Sequence, residues 1–191
     1  TGFMLPSIRS TSNLGIGVKV PYFITLGDSR DVTLTPYLSG RTTTLEFRYR
    51  QAYVNGRIEV EGAVSNDDIL PDETRGYLFG TGSFALPDNF LLNAELRVVS
   101  DPAYLLDYGV SDDDRLRSGI DITRTRRNEY IFGSIANYHS IREGEGNTTT
   151  PTALGALVYE RRFAPAYLGG EGGFRFQTNG FYRPSDVDID T

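Results

Sequence analysis

The one histidine in the sequence, His139, is the only side chain whose ordinary pKa suits general acid–base work near neutral pH. A hydrolase would need it beside a nucleophile such as Ser134, with an acid such as Asp121 orienting the ring. Nothing in the spacing assembles those three, so His139 reads as a rim or lumen histidine and no catalytic residue is assigned. Asp112, Asp113 and Asp114, and the alternating Asp186, Asp188 and Asp190, offer hard oxygen ligands to a divalent cation. The second run lacks the glycine and the distant glutamate of a calcium loop. Both runs read as solvated acidic loops that keep the capacity to draw divalent cations, and no metal site is assigned. The run Leu168-Gly169-Gly170-Glu171-Gly172-Gly173 precedes no helix and reads as a bend rather than a phosphate cradle. Asn147-Thr148-Thr149 matches a glycosylation acceptor and nothing more. Cysteine is absent, so there is neither a disulfide nor a thiolate metal site, and no cofactor is expected.

The ionisable residues that do form a pattern are spread along strands. Leu45, Phe47 and Tyr49 alternate with Glu46, Arg48 and Arg50, and Ile58, Val60, Gly62 and Val64 alternate with Arg57, Glu59 and Glu61. Phe90, Leu92, Ala94, Leu96 and Val98 alternate with Asn93, Glu95 and Arg97; Leu116, Ile120 and Ile122 alternate with Arg117, Asp121 and Thr123. A period of two puts all the apolar residues on one face of a strand and all the charges on the other. Twelve tyrosines, 11 phenylalanines and 21 scattered glycines suit strands joined by tight turns. Between turn signals the pattern predicts about eleven strands, near 2–10, 14–22, 31–38, 43–53, 57–65, 76–85, 90–99, 115–124, 129–139, 153–160 and 168–182, with no comparable helix. A net charge of −6 argues against a nucleic-acid partner.

One charged and one apolar face fit either a soluble antiparallel sheet or a membrane barrel. No apolar run approaches the ~20 residues of a membrane helix, but a barrel strand needs only about 9–11, so a mean hydropathy of −0.32 is compatible with a membrane wall. So many long alternating strands favour an antiparallel transmembrane β-barrel, with Glu46, Arg48, Arg50, Arg57, Glu59, Glu61, Glu95, Arg97, Arg117 and Asp121 facing a polar lumen. Links alternate in length: short ones at 54–56, 87–89 and 125–128, and long polar ones at 66–75, 100–114 and 140–152. Short periplasmic turns and long outer loops would give that alternation and put the N-terminus in the periplasm. An odd number of strands, the start within a strand and the acidic end at 186–191 suggest a piece of a larger barrel, with residues 1–191 forming one partial barrel domain. An Asn55-Gly56 turn would set Arg50 opposite Glu61, Phe47 opposite Val64 and Tyr49 opposite Gly62.

Pro6, Pro21 and Pro36 interrupt strand-patterned segments at steps of fifteen residues. Proline brings no N–H to a ladder, so each marks a strand end, a bulge or an edge. Around them, Gly2-Phe3-Met4-Leu5-Pro6, Val20-Pro21-Tyr22-Phe23, Asp31-Val32-Thr33-Leu34-Thr35-Pro36-Tyr37 and Glu46-Phe47-Arg48-Tyr49 resemble, in order, the start of the barrel of the LptD family of lipopolysaccharide-assembly proteins, also called organic-solvent-tolerance proteins. Val99-Ser100-Asp101-Pro102, followed by Tyr104 and Asp107-Tyr108, resembles a loop motif of that family. The resemblance covers about residues 2–108 with motifs, and only strand pattern continues it beyond. It implies an outer-membrane barrel that takes lipopolysaccharide from a periplasmic bridge protein and releases it to the outer leaflet. It also implies an LptE-type lipoprotein plug in the lumen, a periplasmic jelly-roll domain absent from this chain, and a lateral gate weakened by Pro6 and Pro21. The alternatives are a small outer-membrane barrel enzyme, protease or lipase, and a soluble β-sheet binding module.

Overall fold

A computed structural model of the chain describes residues 1–142, 153–165, 167 and 169–182. The described residues form one antiparallel sheet of thirteen strands: β1 (Gly2–Phe3), β2 (Ser7–Thr11), β3 (Gly15–Lys19), β4 (Tyr22–Thr25), β5 (Arg30–Ser39), β6 (Thr42–Tyr53), β7 (Gly56–Asp67), β8 (Thr74–Leu86), β9 (Phe90–Val99), β10 (Arg115–Arg126), β11 (Glu129–Ser140), β12 (Ala153–Phe163) and β13 (Gly172–Tyr182). One four-residue helix, α1 (Tyr104–Asp107), lies in the link between β9 and β10, and a single 3-10 turn covers Pro87–Asn89. From β5 onward each strand pairs with the next, and the sheet is open, with the β1/β2 strand at one edge and β13 at the other.

Thirteen strands replace the eleven expected because the first two are each broken in two, at the prolines. Gly2 pairs with Phe23 and Phe3 with Tyr22, whereas Ser7 pairs with Lys19 and Ile8 with Val18. Three residues of the edge strand, Met4, Leu5 and Pro6, thus oppose two, Val20 and Pro21, which makes a bulge. The extra residue shifts the alternation by one, so that Phe3 and Ile8, which an unbroken strand would put on opposite faces, share one face.

The expected β6–β7 register is corrected by two positions: Arg50 pairs with Glu59, Phe47 with Gly62 and Tyr49 with Val60. The two turn residues are Val54 and Asn55, and Gly56 already belongs to β7. A Cβ on Gly56 would lie 2.4 Å from the Ser83 carbonyl oxygen and 2.4 Å from the Phe84 ring, so the glycine serves the β7–β8 contact and not the turn. A shift of two residues is a whole pleat period, and neither strand changes its exposed face.

From β5 to β13 the strands run 10 to 13 residues, twice the usual length in soluble sheets. Their apolar face carries Leu45, Val64, Leu96, Val98, Ile120, Ile135 and Phe176, all exposed, with Ile135 at 75%. The packed cluster lies at the loop-rich end, where Tyr37, Tyr77, Phe79 and Val99 of the charged face meet Leu14, Tyr104, Leu105 and Tyr108. The sheet is therefore inverted relative to a soluble one, which buries its apolar face and solvates its polar face.

Candidate functional site

Cross-strand pairing puts Glu46, Arg48 and Arg50 of β6, Arg57, Glu59 and Glu61 of β7, Glu95 and Arg97 of β9, and Arg117 and Asp121 of β10 on one and the same face. Ion pairs engage most of them. Arg48 donates to Glu59 at 2.6 Å, Arg50 to Asp31 at 3.0 Å, Arg97 to Glu95 at 2.9 Å and Arg117 to Asp121 at 2.6 Å, while Lys19 of β3 pairs with Glu46. Such solvated pairs add little stability each, but together they hold a row of fixed, alternating charge across the strands.

Ser134 donates to Asp121 at 2.5 Å, with the Arg117 guanidinium 3.5 Å from its hydroxyl, so this serine and acid do meet. His139 stands five residues further along β11, an odd step that puts it on the opposite face roughly 16 Å away. The three are not assembled for proton transfer. Asp112, Asp113 and Asp114 precede β10, where Asp113 accepts from Ser111 and Arg97 and Asp114 from Arg142. Asn147-Thr148-Thr149 and Asp186, Asp188 and Asp190 lie outside the described residues, as does Leu168. Gly169 and Gly170 take positive φ (56° and 148°) just before β13, the bend expected of them.

Pro6 falls between β1 and β2, and Pro21 between β3 and β4. Pro36 lies inside β5, where its carbonyl accepts from Val20 N–H at 3.1 Å, and the Pro21 carbonyl in turn accepts from Met4 at 2.9 Å. In an antiparallel strand the N–H and C=O of one residue point to the same neighbour. The missing donor of Pro36 therefore faces the interruption at Val20-Pro21. The fifteen-residue spacing brings the three prolines side by side in a row that crosses the first three strands.

The part of the site that sequence reasoning missed is the 100–114 link. The sequence predicts a polar outer loop there, but α1 and its flanks fold back over the charged face. Tyr104, Leu105 and Tyr108 are almost fully buried there, and the two tyrosine rings stack at 4.3 Å. Tyr104 hydroxyl meets Ser65 at 2.7 Å, and Tyr108 hydroxyl donates to Asp67 at 2.7 Å and lies 2.8 Å from Thr42. Buried hydroxyls thereby find partners, as burial demands. Burial, first of all, raises both phenols above their ordinary value.

Arg75 of β8 holds the loop from beneath. Its side chain, 1% exposed, donates to both oxygens of Asp101 at 2.9 and 2.8 Å, to Asp107 at 2.9 Å and to Asp67 at 3.1 Å. It also lies over the Tyr104 ring at 5.4 Å. Burial pushes the Asp101 carboxyl upward, but the Arg75 guanidinium, the Ser100 hydroxyl and the Ala103 N–H outweigh it and leave the group below its ordinary 3.8. A signal was present in the sequence: Tyr104-Leu105-Leu106 is an apolar run inside a polar loop, with Tyr104 and Tyr108 four apart on one side of a helical turn.

A family model described as LPS transport system D matches residues 73–189. The LPS-assembly protein LptD of Nitrosococcus oceani is 33% identical over 170 residues, 88% of this chain and 22% of that protein. The protein of the same name from Pseudoalteromonas atlantica is 32% identical over 112 residues, 57% of this chain and 15% of the relative. That of Xanthomonas euvesicatoria pv. vesicatoria is 29% identical over 131 residues, 65% of this chain and 16% of the relative. The chain thus spans between 15% and 22% of the length of these curated relatives.

Proposed function

The chain belongs to the LptD family, and from that premise we propose that it is a section of the wall of an outer-membrane β-barrel that delivers lipopolysaccharide to the outer leaflet. The observation that carries this reading is the inverted sheet, whose exposed apolar face suits hydrocarbon and whose charged face suits a wet lumen. Strands of 10 to 13 residues are long enough to cross the hydrocarbon layer at a barrel tilt. The work is transport and involves no bond-making. The ten charged residues of β6, β7, β9 and β10 line the path of the polar sugar, while the acyl chains leave through a lateral gate at the edge that carries Pro6 and Pro21.

Residues 1–191 constitute a partial barrel domain in this reading, preceded in the full-length protein by a periplasmic jelly roll that receives cargo from a bridge protein. An LptE-type lipoprotein plug would sit against the charged face. The test is fractionation and depletion of the full-length protein in cells. It should stay with outer membranes after alkaline washing and come off only with detergent, and its depletion should strip lipopolysaccharide from the cell surface. Release by alkaline washing would refute the membrane wall, and unchanged surface lipopolysaccharide would refute the cargo.

A further inference from the structure

The hairpin β2–β3 is poorly anchored. It joins the rest of the sheet through only three β3–β5 pairs, Gly17–Ser39, Val18–Leu38 and Lys19–Tyr37, and below them comes the interruption at Pro21. Its other attachments come from the Lys19–Glu46 ion pair, from its turn, where Ser39 and Arg41 donate to the Leu14 and Asn13 carbonyls, and from the in-folded 100–114 loop. Leu14, at the hairpin tip, is fully buried in the cluster with Tyr104 and Tyr108. The Arg9 guanidinium donates to the Tyr108 carbonyl, and Asn13 donates to Asp107 at 2.9 Å. Asp107 also accepts from Arg75, so one carboxylate ties the hairpin to β8. Gly109 makes room for this contact: its φ is +51°, and a Cβ there would stand 2.6 Å from the Arg9 guanidinium.

We propose that the 100–114 loop is a latch that clamps the first hairpin to the wall from the lumen side, with Arg75 as the residue that positions it. Arg75 reaches three carboxylates from two places in the chain, Asp67 at the end of β7 and Asp101 and Asp107 on the loop. Arg9 and Asn13 pass that hold on to the strand that carries Pro6. A loop lifted off the charged face would remove the Arg9 and Asn13 bonds, leaving the three ladder pairs, the Lys19–Glu46 ion pair and the bonds from Ser39 and Arg41 to hold the hairpin. Movement inside the lumen is in this way coupled to looseness at the edge. The inference rests on the lateral-gate reading only for its consequence in cells; the clamp itself is a property of the fold.

The test uses full-length protein carrying Arg9→Ala with Asn13→Ala, and separately Gly109→Ala, with Arg9→Lys as the conservative control. Hydrogen exchange on the purified detergent-solubilised protein should speed up at least tenfold for amides of 7–19 in the first two variants. Amides of β7 and β8 should be unchanged, which certifies the fold, and Arg9→Lys should restore most of the protection. In cells, normal levels of assembled protein should go with at least fourfold greater sensitivity to vancomycin, a probe too large and polar for an intact outer membrane. Unchanged exchange in 7–19 would overturn the clamp. Faster exchange with unchanged vancomycin sensitivity would overturn its coupling to the edge. Either result would leave the transport reading standing, since that falls only if depletion leaves surface lipopolysaccharide intact.

Discussion

Arg75 is the side chain on which most depends. A buried guanidinium facing three carboxylates is a costly arrangement that holds only while every partner stays in place. Arg75→Ala should cost about 3–5 kcal/mol, chiefly because Asp67, 0% exposed, would be left without its counter-charge. Chemical unfolding of the detergent-solubilised protein would measure it, and a loss below ~1 kcal/mol would contradict the burial argument. The pH response follows from Asp101. Its carboxyl is depressed in the folded state, so its contribution is complete above the ordinary value of 3.8 and is lost as pH falls through the lower folded value. Protection of loop amides from exchange should therefore stay level from neutrality to about pH 4 and fall only below it. Glycines divide by the same kind of reasoning. A Cβ on Gly76 would stand 2.3 Å from the Ala63 carbonyl oxygen, whereas at Gly80 the nearest atom is 3.6 Å away. Gly76→Ala should destabilise by ~1–3 kcal/mol, and Gly80→Ala should be neutral or mildly stabilising.

At the level of strands, the prolines and the bulge act together. Pro6 and Pro21 split the first two strands, and Pro36 withholds a donor from the same place on the third. Replacing Pro6 and Pro21 with Ala should restore donors where geometry permits, each new ladder bond being worth about 0.5–1.5 kcal/mol. Assembly should be normal and lipopolysaccharide delivery slower, and adding Pro36→Ala should slow it further. Pulse-labelled lipopolysaccharide reaching the surface is the measurement, and an unchanged rate in the double variant would remove these prolines from the gate. The β6–β7 hairpin illustrates a different point. Asn55-Gly56 looks like a turn, yet Gly56 is required opposite Phe84, and close contact between strands overrides the turn preference of a dipeptide.

The whole molecule has two distinct ends. Short links at 54–55, 87–89 and 127–128 lie at one, and 68–73 and 100–114 at the other, since every strand reverses direction. With the short turns in the periplasm, Asp113→Cys in the full-length protein on intact cells should react with an impermeant thiol reagent, and Asn55→Cys should not. Asp113 is 47% exposed at its side chain, so its labelling reports sidedness and not burial. The reverse pattern would turn the barrel upside down.

Strand positions and the sorting of side chains between two faces were legible in the sequence, because side-chain alternation is a property of each strand by itself. Phe90–Val99 begins and ends where the alternation does, and all ten charged residues singled out from the pattern share one face. Membership of the LptD family was legible from the ordered motifs that accompany the alternation. Register did not follow, because it depends on which backbone approaches which: Gly56 under Phe84 moved β6–β7 by two places without disturbing either face. The apolar run Tyr104-Leu105-Leu106 marked the loop for burial, but not the place where it comes to rest. Arg75 meets Asp67, Asp101 and Asp107 across 8, 26 and 32 residues of chain, and no periodicity links a strand to a loop that folds back upon it. Local alternation determines what each strand shows to its surroundings; only packing between distant segments decides where the loop comes to rest and which hairpin it holds.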